Sequence, residues 1–146
     1  MWPKNYQELV AFPSYCTERQ KEIHSKENKS EHIAKNTDGD IVRQIKIDGD
    51  ILPSSYTQER RADYLVMNEV KKTAYLIELK GCHVKSALVQ IENTDKKLST
   101  ALKEHTIYWR VVCSPRTSNL KDNFIKKYQK EHPQLKIRRA KFEETI

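Results

Sequence analysis

The 146-residue sequence contains few glycines, prolines and cysteines, and it has no long hydrophobic run. Only three glycines and five prolines are present, so we expect neither a long flexible linker nor a glycine-rich phosphate loop. The three cysteines lie far apart without a CxxC pair, which excludes the spacing of a zinc ribbon or a disulfide framework. No stretch of about 18 apolar residues occurs, so we expect no transmembrane helix and no membrane partner.

The same absences predict where the protein is found. The first residues, MWPKNYQELVAF, lack the basic and then apolar layout of a signal peptide. Cysteines without partners suit a reducing compartment, and we interpret Cys16, Cys82 and Cys113 as small, partly buried apolar side chains. We therefore expect a cytoplasmic, intracellular protein.

Basic residues, by contrast, are in excess. Lys and Arg number 27 against 20 Asp and Glu, so the formal net charge is +7. A positive surface attracts polyanions, and nucleic acid is the partner that this balance favours. Charge alone is equally compatible with a basic protein that has no such partner.

Apolar residues make up 37% of the chain and fall into periodic runs, which predicts a single folded domain over residues 1–146. Residues 1–40 are expected to form a charged segment, helical or partly mobile, because large apolar side chains are few there. Residues 41–146 would then form the core.

The core begins with three predicted strands. IVRQIKIDGDIL (41–52) alternates apolar and polar side chains, and its DGD sequence is more typical of a bend than of a metal site. ADYLVM (62–67) and TAYLIEL (73–79) are rich in β-branched and aromatic residues and are joined by a short polar link. We expect these two runs to form an antiparallel hairpin.

The pattern then alternates between helix and strand. Apolar residues at helical spacing predict a helix over about 84–104, and IYWRVVC (107–113) predicts a buried strand. A second helix is expected over roughly 118–131, followed by a basic edge strand, LKIRRAKF (135–142). This order predicts an α/β fold with one mixed sheet of about five strands flanked by helices.

Three charged residues lie within or beside the hairpin strands, where a core is expected. Glu78 and Lys80 are two residues apart and share a face of their strand, and pairing can bring Asp63 beside Glu78. Adjacent carboxylates repel unless a cation lies between them, and Mg²⁺ prefers such oxygen ligands. Lys80 could then hold or deprotonate a water that attacks a metal-bound phosphate. The competing interpretation is a surface salt bridge of Lys80 with both carboxylates.

An Asp, a strand-sized gap and then Glu-Leu-Lys at the end of a strand, followed by a helix, resemble the PD-(D/E)xK nuclease superfamily. The resemblance covers roughly residues 41–113 and implies a restriction-endonuclease-like core. It implies that Asp63, Glu78 and the carbonyl of Leu79 bind Mg²⁺, with Mn²⁺ as a substitute. It also implies that Lys80 serves the hydrolytic water.

The resemblance extends to residues outside the strands. Many members place a Gln on the following helix near the water or the substrate, which implies a catalytic role for Gln90. Some members add an acidic residue from the first helix, for which Glu18 and Glu31 are candidates. Ala62 stands where the family usually has proline, which weakens the match of the motif.

Several basic side chains are candidates for contacts with nucleic acid. Arg60 and Arg61 come directly before the strand of Asp63, and His83 follows the strand of Lys80. For His83, an exposed loop histidine without a function is the simpler interpretation. The basic residues of the C-terminal third are equally compatible with a solvated surface and with a phosphate-binding one.

The function expected from these residues is a Mg²⁺-dependent endonuclease that hydrolyses phosphodiester bonds in DNA. It would act as a homodimer or with a partner protein that supplies targeting. Two alternatives remain open. One is a nucleic-acid-binding or inhibitor protein that keeps the nuclease fold without cleavage, and the other is an RNA-directed nuclease of the same fold.

Overall fold

A computed structural model describes residues 1–80, 83–117 and 120–146, and all of their side chains except that of Lys80. The chain forms an α/β domain that contains a five-stranded and a three-stranded mixed sheet. In chain order the elements are α1 (Tyr6–Val10), β1 (Glu22–Glu27), β2 (Ser30–Lys35), β3 (Val42–Lys46), β4 (Tyr64–Asn68), β5 (Thr73–Lys80), α2 (Val84–Leu98), β6 (Thr106–Cys113), α3 (Asn123–Glu131), β7 (Leu135–Arg139) and β8 (Lys141–Thr145).

The larger sheet has the strand order β3-β4-β5-β6-β7. Its first two pairings are antiparallel, and β5–β6 and β6–β7 are parallel because α2 and α3 make the crossovers. The turn between β4 and β5 is held by Asn68, whose Oδ1 accepts hydrogen bonds from the N–H groups of Val70 and Lys71, each at 3.0 Å. The predicted hairpin and a mixed sheet of five strands are thereby confirmed. The expectation of a single sheet flanked by helices is corrected, because a second, three-stranded sheet packs against the larger one.

Both main helices are shorter than the apolar periodicity indicated. α2 packs Ala87, Leu88 and Ile91 into the core but ends at Leu98 instead of near residue 104. The apolar stripe continues beyond the helix, because Leu102 is also buried. Leu102 lies in the turn after α2, and its N–H donates to the Leu98 carbonyl at 2.9 Å.

α3 begins at Asn123, later than the expected 118. The Asp122 carboxylate caps it by accepting the N–H of Phe124 at 2.7 Å. Of the residues assigned to this helix from sequence, 118 and 119 lie outside the described part of the chain.

The expectation of a helical or partly mobile segment over residues 1–40 is corrected by the structure. After the short helix α1, β1 and β2 form an antiparallel hairpin. Its inward positions include Ser25, His32 and Ala34, all buried. Because two of these side chains are polar, the two-residue period of the strands is not visible as alternating hydrophobicity.

The last predicted strand is in fact two strands. Ala140 adopts a positive φ of 62°, which ends β7 and redirects the chain into β8. Its N–H bonds to the Cys113 carbonyl at 2.7 Å, and its carbonyl accepts the N–H of Glu31 at 2.9 Å. β8 then pairs in parallel with β2, so one residue links the two sheets.

A buried ionic network holds the two sheets together. The Glu144 carboxylate on β8 accepts hydrogen bonds from His32 on β2 and from Arg110 on β6, each at 2.7 Å. The Arg110 guanidinium also lies over the Phe142 ring, 5.7 Å from its centroid. Burial would raise the pKa of Glu144, but the two donors outweigh it and lower that pKa.

We expect Glu144→Ala to lower the free energy of unfolding in urea by about 3–5 kcal/mol, because Arg110 is left as a buried charge without its carboxylate. The neighbouring Glu143 provides the control, since its side chain is 43% exposed compared with 13% for Glu144. Glu143→Ala should change the stability by less than about 1 kcal/mol. Similar losses in the two variants would contradict the role given to the network.

Candidate functional site

Asp63 comes directly before β4, where the chain is distorted. Its N–H bonds to the Ile77 carbonyl at 3.0 Å, whereas its carbonyl accepts the N–H of Ile47 at 2.9 Å. In a regular strand, the N–H and the carbonyl of one residue point to the same neighbouring strand. The chain is therefore twisted at Asp63. The Asp63 carboxylate accepts the N–H of Leu79 at 2.8 Å. A side chain therefore continues the hydrogen-bond ladder past the end of β4.

Glu78 lies on β5, one residue beyond the part of the strand that pairs with β4. That pairing ends at Tyr64 and Ile77, and the Ile77 carbonyl also accepts the N–H of Asp63. Glu78 is buried and alternates with Ile77, so it shares the face of the sheet on which Leu76 packs against α2. Asp63 and Glu78 thus both lie where the pairing of β4 with β5 ends, and the Asp63 carboxylate bonds to the N–H of the residue that follows Glu78.

The backbone of Leu79 contributes to the same edge. Its N–H faces Asp63, and the carbonyl of a strand residue points to the same side as its N–H. The Leu79 carbonyl is therefore directed toward the strand end from which the Asp63 carboxylate extends. Lys80 is the last residue of β5, and its backbone is paired with Cys113.

The Asp63 carboxyl is in an environment that disfavours its charge. Burial raises its pKa to about 7, although the hydrogen bond from the Leu79 N–H lowers it. Glu27 raises this pKa further, by its charge and by a hydrogen bond to Asp63, and so does the charge of Asp48. Carboxyl groups from β1, β4 and the loop after β3 therefore meet around Asp63.

Glu27 is the acidic neighbour that the sequence did not indicate. The candidates Glu18 and Glu31 lie elsewhere: Glu31 bonds to His24 at 2.9 Å, and Glu18 is exposed before β1. Glu27 reaches Asp63 only because the small sheet covers one face of the large one. Recognising it would have required predicting the hairpin.

The donor set at this edge fits a hard cation. Two carboxyl groups and a backbone carbonyl are oxygen ligands, and Mg²⁺ is typically bound by one or two carboxylates with water and phosphate. Within residues 1–80, 83–117 and 120–146, no three His, Cys, Asp or Glu side chains are arranged as a metal site.

Gln90 lies on α2 next to the loop that leads into Asp63. Its Nε2 donates to the Arg61 carbonyl at 3.2 Å. Its Oε1 is buried, and no residue in the described part of the chain donates to it. An acceptor held in this way is available to a water or a substrate group that can donate a hydrogen bond.

The structure gives the two neighbouring arginines different roles. The Arg61 guanidinium is buried and bonds to the Asp48 carboxylate at 3.0 Å. It also donates to three loop carbonyls, those of Pro53, Tyr56 and Glu59. Arg61 therefore holds the loop between β3 and β4 and has few donors left for a phosphate.

Arg60 is exposed and lies on the other side of the same loop. Its Nη1 donates to Ser86 Oγ in the first turn of α2 at 2.9 Å. Together with Gln90 it lines a surface cleft of about 250 Å³. His83 is also exposed and comes directly before α2, where its side chain makes no capping bond. Arg60 and His83 are thus exposed to solvent, whereas Arg61 is buried.

The DGD sequence forms the bend that was predicted. Gly49 has a φ of 128°, which favours glycine, and its N–H bonds to the Leu52 carbonyl at 2.8 Å. Asp48 is paired with Arg61, and Asp50 accepts the hydroxyl of Tyr15 at 2.6 Å. Both carboxylates are thus used to fix loops.

Separate substitutions should distinguish the two arginines. We expect Arg61→Ala to lower the free energy of unfolding in urea by more than about 2 kcal/mol, because three loop carbonyls and Asp48 lose their donor. Arg60→Ala should change it by less than about 0.5 kcal/mol, as for most exposed substitutions. Equal effects would mean that Arg61 does not hold the loop.

Asp63 should make the metal-free protein less stable as the pH rises. Its pKa is about 7 in the folded protein and about 4 in an unfolded chain, so only the unfolded state loses this proton between those values. The contribution of Asp63 to the free energy of unfolding is therefore fully present below about pH 4 and is lost by about pH 7. In EDTA, Asp63→Asn should show a smaller decrease in stability between pH 5 and 8 than the wild type.

The control for this measurement is Asp38→Asn. Asp38 is exposed, and a hydrogen bond from Lys71 lowers its pKa, so its titration lies below this pH range. The variant should keep the decrease seen in the wild type. Identical pH profiles for the wild type and Asp63→Asn would contradict the assigned environment.

Comparisons of the chain with protein-family models, with curated proteins and with solved structures found no match. None of the helices in the described ranges is both long and apolar enough to cross a membrane. Membership of the PD-(D/E)xK superfamily therefore stays a prediction from the sequence motif.

Proposed function

We propose that the protein is a Mg²⁺-dependent endonuclease of the PD-(D/E)xK type, with a restriction-endonuclease-like core, that hydrolyses phosphodiester bonds in DNA. The observation that carries this proposal is the hydrogen bond from the Leu79 N–H to the Asp63 carboxylate beside the buried Glu78. It joins the Asp and the Glu-x-Lys parts of the motif at one strand end.

Asp63, Glu78 and the Leu79 carbonyl would hold the cation. A bound Mg²⁺ supplies a Lewis acid that polarises the phosphate and stabilises charge on the leaving oxygen. Lys80, two residues after Glu78 on the same strand, would position the attacking water. Gln90 would accept a hydrogen bond from that water through its buried Oε1.

The protonation state of Asp63 connects this site to pH. With a pKa of about 7, the carboxyl holds its proton for much of the time at neutral pH when no cation is bound. A carboxyl must lose its proton before it can bind a metal, so cation and proton compete for the same oxygens. The proposed site is therefore filled more readily above pH 7 than below it.

A cleavage assay tests the proposal. With Mg²⁺ or Mn²⁺, the wild-type protein should cut plasmid or branched DNA, and Glu78→Ala and Lys80→Ala should each lower the rate by at least about 100-fold. Glu143→Ala, an exposed carboxylate on β8, should retain the wild-type rate. Circular dichroism would show whether each variant is folded.

The remaining outcomes separate the alternatives. Equal cleavage by all four proteins would indicate a contaminant or another site and would contradict the proposal. Cleavage of RNA but not of DNA of matched sequence would favour the RNA-directed nuclease. Salt-dependent DNA binding without any metal-dependent cleavage would favour a binding or inhibitor protein.

A further inference from the structure

A row of stacked rings runs along α3 and ends at an exposed phenylalanine. Phe124 stacks on Tyr128 with ring centroids 6.0 Å apart, and Tyr128 stacks on His132 at 4.1 Å. The Tyr128 hydroxyl donates to the Glu92 carboxylate on α2 at 2.9 Å, which fixes the row against the neighbouring helix. Phe124 is nevertheless 47% exposed, so the row presents a rigid aromatic surface to solvent.

This aromatic surface lies at the same edge of the sheet as the candidate site. β5 and β6 are parallel, so α2 and α3, which follow them, both begin at the edge where these strands end. The backbone of Lys80 is paired with Cys113, and Cys113 is paired with Arg139 on β7. The end of β5 is therefore only two strand spacings, about 10 Å, from Arg139.

The surroundings of Phe124 are basic. The Lys85 ammonium lies over its ring, 4.6 Å from the centroid, and Lys126 and Lys127 of α3 are exposed. The nearest acidic groups are already engaged, since Asp122 caps α3 through the Phe124 N–H and Glu92 binds Tyr128.

Beside the first turn of α3 there is also an open depression. Its volume is about 460 Å³, and its lining includes Lys121 and Arg139. Arg139 ends β7, which lies beyond β6 from the candidate site, whereas Phe124 contacts Lys85 of α2, the helix that follows β5. A strand of nucleic acid that leaves the site past the ring could therefore continue along Lys121 and Arg139.

We propose that Phe124 stacks on an unpaired base of single-stranded DNA next to the candidate site. A strand with unpaired bases is then the preferred substrate, an inference that rests on the proposed function. The base takes the place of the Lys85 ammonium over the ring, and Lys85 moves to a phosphate. Lys121, Lys126 and Arg139 follow the backbone. Every base offers a π-face, so this contact does not depend on sequence.

Single-stranded DNA fits this surface better than a duplex does. In a duplex, both faces of each base are covered by its neighbours, so an exposed ring cannot stack on it without unstacking the helix. A phosphate-binding surface alone needs only lysine and arginine. An exposed ring between lysines adds a contact that only an unpaired base can use.

The test measures binding, not cleavage. In EDTA, fluorescence anisotropy of a labelled oligothymidine should show that Phe124→Leu binds roughly 5- to 150-fold more weakly than the wild type, as expected for the loss of one stacked base. Phe124→Trp should retain the wild-type affinity, because it keeps an aromatic face. Binding of a duplex should change by less than about 2-fold in Phe124→Leu, since the phosphate contacts are intact.

Val70→Ala provides the matched control. Val70 is an apolar side chain, 59% exposed, beside Lys71 and Lys72 at the opposite edge of the sheet. This variant should bind oligothymidine as the wild type does. Unchanged binding by Phe124→Leu, or equal losses for single-stranded and duplex DNA, would overturn the inference.

The result also separates this inference from the proposed function. Because no divalent cation is present, binding is independent of the proposed metal site. If Phe124→Leu loses affinity but Glu78→Ala still cleaves like the wild type, the stacking surface stands and the proposed catalytic site falls. If Glu78→Ala loses cleavage but Phe124→Leu binds normally, the proposed catalytic site stands and the stacking surface falls.

Discussion

The hydrogen bond from the Leu79 N–H to the Asp63 carboxylate is the interaction on which the candidate site depends. It replaces a backbone bond at the point where β4 begins, and it therefore sets both the distortion of that strand and the position of the carboxyl. A carboxyl in such a partly buried place is costly to ionise, and Glu27 and Asp48 raise its pKa further. This arrangement favours a proton or a cation at the edge of the sheet, so we relate it to metal binding.

The layers around the sheet explain why these groups meet there. The three-stranded sheet covers one face of the large sheet and places Glu27 beside Asp63. α2 covers the other face and places Gln90 beside the Arg61 carbonyl. Arg61 holds the intervening loop by bonding to Asp48 and to loop carbonyls, which leaves Arg60 on the surface. The same helices that pack the core also begin at this edge, so the α3 ring of Phe124 lies on the same side. Groups of the candidate site that are distant in the sequence thus lie at one edge of the sheet.

Local patterns predicted the central elements well, but not the peripheral ones. β5 and β6 at the centre of the large sheet are rich in β-branched and aromatic residues, whose preference is expressed within a few residues. The hairpin over β1 and β2 was missed because its buried positions include Ser25 and His32, which satisfy their polarity through tertiary contacts such as the 2.7 Å bond of His32 to Glu144. The division of the last strand was missed because nothing in an alanine at position 140 indicates a positive φ.

By itself, the sequence determined the α/β class, the order of the central elements and the placement of Asp63 and Glu78 at one end of a hairpin. These follow from periodicity and from register within a hairpin, both of which are local. Only the tertiary structure decided that Glu27 and not Glu18 or Glu31 lies beside Asp63, that Arg61 is buried and Arg60 exposed, and that Phe124 shares an edge with the site. Those relations depend on how layers pack across long sequence separations, and no local pattern of residues encodes them.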